Sequence, residues 1–383
     1  MDGRKRSKSA LLMTLSDPST DPRPNRNIRL LESEGFIVDV ASFAFSQPFD
    51  FKGNHFLIQS FGDSFVRRAA YFLERTGLLN ARGAKWFDQQ INLAVPSPGS
   101  SNFDVVIVED LRLVKYVFDV PLAKKVIFDA REFYPGQFPD TALYRMLRLN
   151  YAHKICADYL TRCDLVLTVS AGVAELYQHH FGPLALTVMR SIPREAEAES
   201  GRTVGPVIRL VHHGNATKMR KLENLVVAAG EFPGRYTLDL YLNNGGSKSR
   251  LSRLARRFPN VNVLDAVPHT AIAETISHYD VGLSVFPSAT RNLANVLPNK
   301  FFEYVYSGLA VIASPSKDQR DLIDKFKFGF VTEDASAASL IKLLASLTPE
   351  EVLESRANAR LARKEIRFDK ESEYLQSFLR SVS

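Results

Sequence analysis

Cysteine is nearly absent: Cys156 and Cys163 are the only two in 383 residues, and they stand seven apart in a helical pattern. Two thiols at that spacing build neither a disulfide framework nor a metal site, so both are expected to be buried. Long apolar runs are missing as well. No window reaches eighteen apolar residues, which excludes a membrane-spanning helix. Met1–Lys8 carries Arg4, Lys5, Arg6 and Lys8, but the strand-length run Ala10–Leu15 has no small-residue cleavage site behind it. That pattern does not make a signal peptide, and it points to a cytoplasmic protein. Asn215-Ala216-Thr217 has the form of a glycosylation sequon without the secretion that would use it. A one-sided charge is absent too. Against a net charge of +7, the balance is 23 Lys and Arg to 20 Asp and Glu through Arg190, and 26 to 22 beyond it. The excess is spread evenly, so no nucleic-acid-binding domain stands out.

What is present is globular composition, 45% apolar and 24% charged, in a chain long enough for two domains. Apolar runs of four to six residues alternate with longer helical patterns, the rhythm of βαβ units and a parallel sheet. Strands are predicted at Leu11–Leu15, Ile37–Ser42, Val105–Val108, Val126–Phe128, Leu165–Val169 and Thr187–Met189. Helices are predicted at Asn25–Glu34 after Pro24, at Thr141–Leu160 and at Ala171–Phe181. Ser191–Pro206, polar and flanked by prolines, breaks the rhythm as a linker. A second series follows at Val207–Val211, Leu238–Leu242, Val261–Leu264, Val281–Val285, Ala310–Ala313 and Gly329–Val331, with helices at Leu222–Ala229 and Asn299–Ser307. The expected division is a first domain over 1–190, a linker over 191–206 and a second domain over 207–366. Gln47–Ser101 fits the rhythm poorly. Its stretch Phe65–Leu73 mixes apolar residues with Arg67 and Arg68, which suits either a helix packed on its own sheet or one docked on a membrane surface.

Parallel sheets bind ligands beyond the carboxyl ends of their strands, so the residues just after each strand carry the functional signal. In the first half these are Ser16, Asp17, Glu109, Asp110, Asp129, Arg131, Glu132 and Ser170. In the second half they are His212, His213, Gly214 and Asn215, then Asn243 with Gly245 and Gly246, then Phe286 and Pro287. Two such edges facing each other across a linker would form a cleft in which two substrates meet.

Lys218, Arg220 and Lys221 follow Gly214-Asn215 where the first helix of the second half is expected to begin. Three cations there oppose the helix macrodipole, so a compensating anion, such as a diphosphate, is expected. A solvated charge run is the plain alternative. Asn243-Asn244-Gly245-Gly246 lacks the spacing of a phosphate loop or a dinucleotide fingerprint and reads as a turn. In the segment Leu297–Ser314, Pro298 suits a first helical turn and Gly308 the helix end. Phe301, Phe302 and Val305 supply its core face, and Glu303 lies one turn from Asn299 and Lys300. A carboxylate there suits a pair of ribose hydroxyls, and equally an ordinary solvated helix position.

The segment LPNKFFEYVYSGLAVIAS closely resembles the donor-site helix of glycosyltransferase family 4, also called group 1. Asp17–Phe43, FDVVIVEDLRLV, VIFDAREFY, CDLVLTVSAGVAELY and VHHGNATKMRKLENLVVAA resemble further pieces of that family in the same order, over nearly the whole chain. The resemblance implies the GT-B fold: two Rossmann-like, doubly wound α/β domains facing each other across a cleft, with the C-terminal helix over 367–383 crossing back to the first. It also implies a donor nucleotide on the second domain and an acceptor on the first. Glu303 matches the family's ribose-binding Glu, and Arg220 its phosphate-binding Lys, with Lys218 and Lys221 as rivals. The backbone at Gly214-Asn215 would approach the diphosphate, with Asn243, Asn295, Asn299 and Lys300 around the same donor. Members retain anomeric configuration and need no metal or other cofactor. Two positions depart from the pattern. Asn295 stands where the family often has a second Glu, and Arg131 where it commonly has His.

The resemblance therefore implies transfer of a hexosyl or related group from a UDP- or GDP-sugar to a hydroxyl of a glycan or lipid-linked acceptor, with contact to a membrane surface left open. Asp110, Glu132 and Arg131 are the candidates for the acceptor and its proton. A sugar-nucleotide epimerase and a catalytically silent scaffold share this architecture and are the alternatives. A nicotinamide dehydrogenase is disfavoured, since neither half has the glycine fingerprint with an acid about twenty residues on.

Overall fold

The computed structural model describes residues 7–58, 103–137, 150–194, 203–243 and 247–382. The chain divides into two compact units, Met1–Met189 with Ser372–Ser383, and Arg190–Glu371. The Phe65–Leu73 segment, the start of the expected Thr141–Leu160 helix, the middle of the linker and the turn at Asn244–Gly246 lie outside the described residues.

The first unit is built on a seven-stranded sheet, parallel throughout, in the order β3-β2-β1-β4-β5-β6-β7. Its strands are β1 (Lys8–Met13), β2 (Phe36–Ser42), β3 (His55–Leu57), β4 (Phe103–Val108), β5 (Ala123–Ala130), β6 (Leu165–Thr168) and β7 (Leu186–Val188). The central strands β1, β4 and β6 are apolar nearly throughout and buried on both faces, as a sheet covered on both sides requires. Only β3 escaped the sequence pattern. It is a three-residue edge strand whose side chains are partly exposed, so it needs no apolar run. Helices α1 (Pro22–Ser33), α2 (Leu111–Asp119), α3 (Asn150–Tyr159) and α4 (Ala171–Phe181) belong to this unit. Cys156 and Cys163 are buried free thiols, and burial pushes that of Cys163 up to about 12.

The second unit has a six-stranded parallel sheet, β10-β9-β8-β11-β12-β13. These are β8 (Ile208–Gly214), β9 (Tyr236–Leu242), β10 (Val261–Asp265), β11 (Val281–Ser284), β12 (Ala310–Ala313) and β13 (Gly329–Val331). Around them lie α5 (Glu223–Gly230), α6 (Lys248–Ala255), α7 (His269–Ser277), α8 (Arg291–Asn295), α9 (Asn299–Tyr306), α10 (Lys317–Phe326), α11 (Ala337–Ser346) and α12 (Pro349–Ala362). The last helix, α13 (Phe368–Ser381), runs through the boundary between the units. Its far end belongs to the first, where Arg380 pairs with Glu34 through contacts of 2.8 and 2.9 Å.

At the amino ends of the second unit's strands, Asp280 is fully buried between Arg209, at 2.9 Å, and Arg356, at 3.1 Å. Arg356 also donates to the Gly308 carbonyl, so the start of β11 and the end of α9 are tied to α12. The carboxyl ends are left to other residues. Strand order reverses between β1 and β4 in the first sheet and between β8 and β11 in the second, and such switch points open a crevice at the carboxyl edge.

Helix α9 reaches the second switch point because Gly282 in β11 lets the ring of Tyr304 lie directly on the strand. A Cβ at Gly282 would stand 2.1 Å from Tyr304 Cγ. Gly282→Ala is therefore expected to cost about 1–3 kcal/mol or more, read from the midpoint of urea denaturation. In a double-mutant cycle with Tyr304→Ala the two costs should be less than additive. An unchanged midpoint in Gly282→Ala would contradict the contact.

Candidate functional site

In the second unit, β8 ends in His212, His213 and Gly214, and both histidines are buried. Burying imidazoles is tolerable only when their polar atoms are partnered. His212 Nδ1 lies 2.8 Å from the Leu283 carbonyl on β11, and its Nε2 lies 3.2 Å from Lys300 Nζ on α9. An ammonium only donates, so Nε2 accepts and Nδ1 carries the proton that it gives to Leu283. Lys300 donates also to the His213 carbonyl at 2.6 Å, and the His213 N–H donates to the Tyr304 hydroxyl at 3.3 Å. Burial and then the charge of Lys300 hold His212 well below its ordinary range. Burial and then Arg220 hold the Lys300 ammonium well below its own, with Glu303 opposing.

Glu303 is only 6% exposed, which removes the solvated-helix reading. Its Oε2 lies 3.1 Å from His213 Nε2, at ion-pair distance though out of hydrogen-bonding alignment, and its Oε1 lies 3.6 Å from His269 Nε2. Burial alone would raise this carboxyl, but the two histidines outweigh it and bring it down to about 2. His269 is the first residue of α7 and is 41% exposed, so it stands at the outer side of the carboxylate.

Lys218–Arg220 form a short 3-10 turn, and α5 begins only at Glu223. The macrodipole argument is thereby corrected: the cations precede the helix, and its first turn has an acid of its own in Glu223. Lys218 and Lys221 are exposed, whereas Arg220 is half-buried with its guanidinium 5.7 Å from the Phe286 ring centroid. Of the three, Arg220 is the one held at the carboxyl edge, since Phe286 follows β11. Gly214 adopts φ +122°, a conformation that glycine supplies. Asn243 donates to Asn215 Oδ1 at 2.7 Å, joining the ends of β9 and β8. Asn295 closes α8 with its amide on the Arg291 carbonyl, Asn299 opens α9 and is exposed, and Pro298 is the residue before the helix.

The first unit gathers a different set at its switch point. Arg131 pairs with Asp21 at 2.6 Å and with Glu109. Arg23 forks onto Asp129, its Nε 2.8 Å from Oδ2, and Asn27 donates to Glu109 at 2.7 Å and to Asp129 at 2.9 Å. Arg26 is buried beside them, and burial and then Arg23 hold it down to about 9. Burial raises the Glu109 carboxyl, with Arg131 opposing. Asp110 has a local duty. It caps α2 by accepting from the Arg112 N–H at 2.9 Å and forks with the Arg112 guanidinium. Glu132 accepts from Gln137 Nε2 at 2.8 Å and is partly exposed.

Sequence reading named the strand-end acids but missed Asp21, Arg23, Arg26 and Asn27, which belong to this cluster, and His269. The first group had a signal: 23, 26 and 27 share one helix face and are polar where a core-facing stripe should be apolar. His269 had none, because its place beside Glu303 is purely tertiary.

Two parallel-sheet α/β units in one chain define the GT-B fold, and solved structures of that fold match the chain end to end. Sucrose-phosphate synthase from Thermosynechococcus elongatus matches with a TM-score of 0.73 at 13% identity, over 97% of this chain and 98% of its own. HepE of Anabaena, solved in complex with UDP and glucose, matches at 0.69 and 12%, over 98% and 100%. WaaG, a glycosyltransferase involved in lipopolysaccharide biosynthesis, matches at 0.67 and 12%, over 97% and 100%. In sequence, no protein-family model and no curated protein matches the chain. At such identities the likeness is one of fold. Among the described residues no helix is long and apolar enough to cross a membrane.

The depressed Glu303 carboxyl has a consequence for acid stability. Its folded-state pKa of about 2 lies below the ordinary 4.5, so its contribution is present above the ordinary value and is lost as pH falls toward 2. The stability difference between wild type and Glu303→Gln should be on the order of 3 kcal/mol near neutrality and shrink as the medium is acidified below about pH 4.5. Denaturant titrations of both proteins across that range measure it. A difference independent of pH would refute the assignment.

Proposed function

We propose that the chain is a glycosyltransferase of the family 4 type, moving a sugar from a UDP- or GDP-sugar to a hydroxyl of a glycan or lipid-linked acceptor. The observation that carries this reading is Glu303, a buried carboxylate kept ionised by His213 and His269 at the switch point of the second sheet. An ionised carboxyl is purely an acceptor, the chemistry that two vicinal ribose hydroxyls need. Arg220, half-buried at the same edge, stabilises the charge that grows on the leaving diphosphate, and Gly214 lets that group approach the backbone.

The solved neighbours support the donor class: HepE was solved with UDP and glucose, and the trehalose-6-phosphate enzyme of E. coli with UDP-2-fluoro glucose. Retention of configuration and independence from metal belong to the same proposal and rest on the family resemblance. For the acceptor, Asp110, Glu132 and Arg131 remain the candidates, each already holding a neighbour: Asp110 serves Arg112 and the helix cap, Glu132 accepts from Gln137, and Arg131 pairs with Asp21 and Glu109.

A panel of UDP- and GDP-sugars, assayed for transfer or slow donor hydrolysis, tests the reading. Glu303→Ala and Arg220→Ala should each lower kcat/KM on the active donor by about 10- to 1000-fold, the range for losing one charged transition-state or substrate contact. Rates unchanged in both variants would sink the site assignment.

A further inference from the structure

Helix α12 is fixed from its start and from one side. Thr348 and Glu351 cap it reciprocally, through bonds of 3.2 and 2.9 Å, and its inner face buries Val352, Ser355, Arg356, Ala359 and Ala362. The opposite face is turned to solvent, yet it lacks the wholly polar surface that such a face should have. Leu353 is 48% exposed and Leu361 59%, and exposed Ala357 stands midway between them. At 3.6 residues per turn both leucines lie within about 40° of Ala357 around the helix. A single exposed leucine needs no explanation, whereas two on one face with a small residue between them make an apolar stripe.

The charges beside the stripe are ordered about the same centre. Leu353 and Leu361 each stand four residues from Ala357, Glu354 and Arg360 each three, and Glu350 and Lys364 each seven. Lys364 continues the last turn of the helix, with its N–H on the Leu361 carbonyl at 3.1 Å. On this face the sequence is therefore a palindrome about Ala357, in which each acid is answered by a base at the mirrored position. Glu350, Glu354 and Lys364 are exposed and Arg360 is half-buried. The helix macrodipole favours acids at the start and bases at the end, so it accounts for the signs, but it does not account for the leucines.

A two-fold axis accounts for both. In a pair related by such an axis, the commonest symmetry of homo-oligomers, a residue on one side of the centre meets the mirrored residue of the other copy. We infer that the exposed face of α12 docks a second copy of this chain, packed antiparallel about a two-fold axis at Ala357. Leu353 then meets Leu361 of the second copy, Glu350 meets Lys364, and Glu354 meets Arg360. The small side chain at the axis lets the helices approach, and the leucines fill the grooves on either side of it. One helix pair is a small interface, so the dimer is expected to form at roughly micromolar concentrations and above.

Sedimentation equilibrium of the full chain from about 1 to 500 µM tests this, and wild type should pass from monomer to dimer within that range. Glu350→Lys alone sets lysine against lysine at both ends of the pair, and Lys364→Glu alone sets acid against acid. Each should weaken association by roughly tenfold or more. Mixed in equal amounts, the two variants should associate with each other about as well as wild type does with itself, because every contact again joins opposite charges. Leu353→Ser combined with Leu361→Ser should abolish association. Both positions are exposed in the single chain, so the fold, read by circular dichroism, should be kept. Wild type that stays monomeric over the whole range overturns the inference, and so does a dimer that survives the double serine variant. Charge variants that keep wild-type association, or that lose it and do not regain it on mixing, deny the antiparallel register and overturn it as well.

Discussion

The placement of the second unit's site depends on one contact, the Tyr304 ring lying on the backbone of β11 at Gly282. A side chain at Gly282 would lift α9 off the sheet, and with it the two polar residues that flank Tyr304 in the helix. Because α9 lies close, Lys300 reaches under the end of β8 and Glu303 meets the ring of His213. The same tyrosine accepts the His213 N–H and packs edge-to-face on its ring, with centroids 5.3 Å apart. One aromatic side chain thus joins β8, β11 and α9 where the strand order reverses. Polar residues that would be costly in an ordinary core are held there by fixed neighbours, although His213 Nε2 and Glu303 Oε2 stand 3.1 Å apart out of hydrogen-bonding alignment.

The two switch points solve the problem of buried charge differently. In the first unit, Arg23, Arg26 and Arg131 stand among Asp21, Glu109 and Asp129, and cations and anions balance. In the second, Glu303 stands between His213 and His269, and Lys300 and Arg220 lie near one another at the end of β8. A balanced cluster is a rigid floor, well suited to fixing the ends of β1, β4 and β5 and to offering hydrogen bonds to a neutral hydroxylated molecule. A site where cations gather attracts an anionic ligand.

Most strands were legible because a parallel sheet covered on both faces needs short, continuous apolar runs, and Val105–Val108 or Ala310–Ala313 can be little else. β3 was not, since an edge strand of three half-exposed residues carries no such signature. The site was legible in part. The place of Glu303 one turn from Asn299 and Lys300 in the Leu297–Ser314 segment marked it, but helical spacing alone leaves open whether such a residue is buried, and that is what its chemistry turns on. The cationic turn was legible by composition and misread in geometry: a left-handed residue at Lys221, with φ +49°, ends the 3-10 turn before α5 starts. Arg23, Arg26 and Asn27 were hidden by the habit of assigning polar residues to the solvated side of a helix.

The pairing of Glu303 with two histidines also bears on how the proposed site discriminates among ligands. A protonated carboxyl in the same pocket would donate one hydrogen bond and accept another, and it would tolerate a sugar lacking a hydroxyl. Held ionised, it leaves its oxygens as acceptors, and a ligand without a matching pair of donors would strand a buried charge, a far larger penalty than losing a neutral hydrogen bond. Under the proposed function, selectivity for a ribose diol would follow from keeping the carboxyl charged rather than from the shape of the pocket. His269, at the outer side of that carboxylate and partly in solvent, is the neighbour that an incoming ribose would have to displace or share, whereas His213 is fixed beneath it by Tyr304. The inner histidine stands 3.1 Å from one carboxylate oxygen, and the outer one lies 3.6 Å from the other on the side toward solvent.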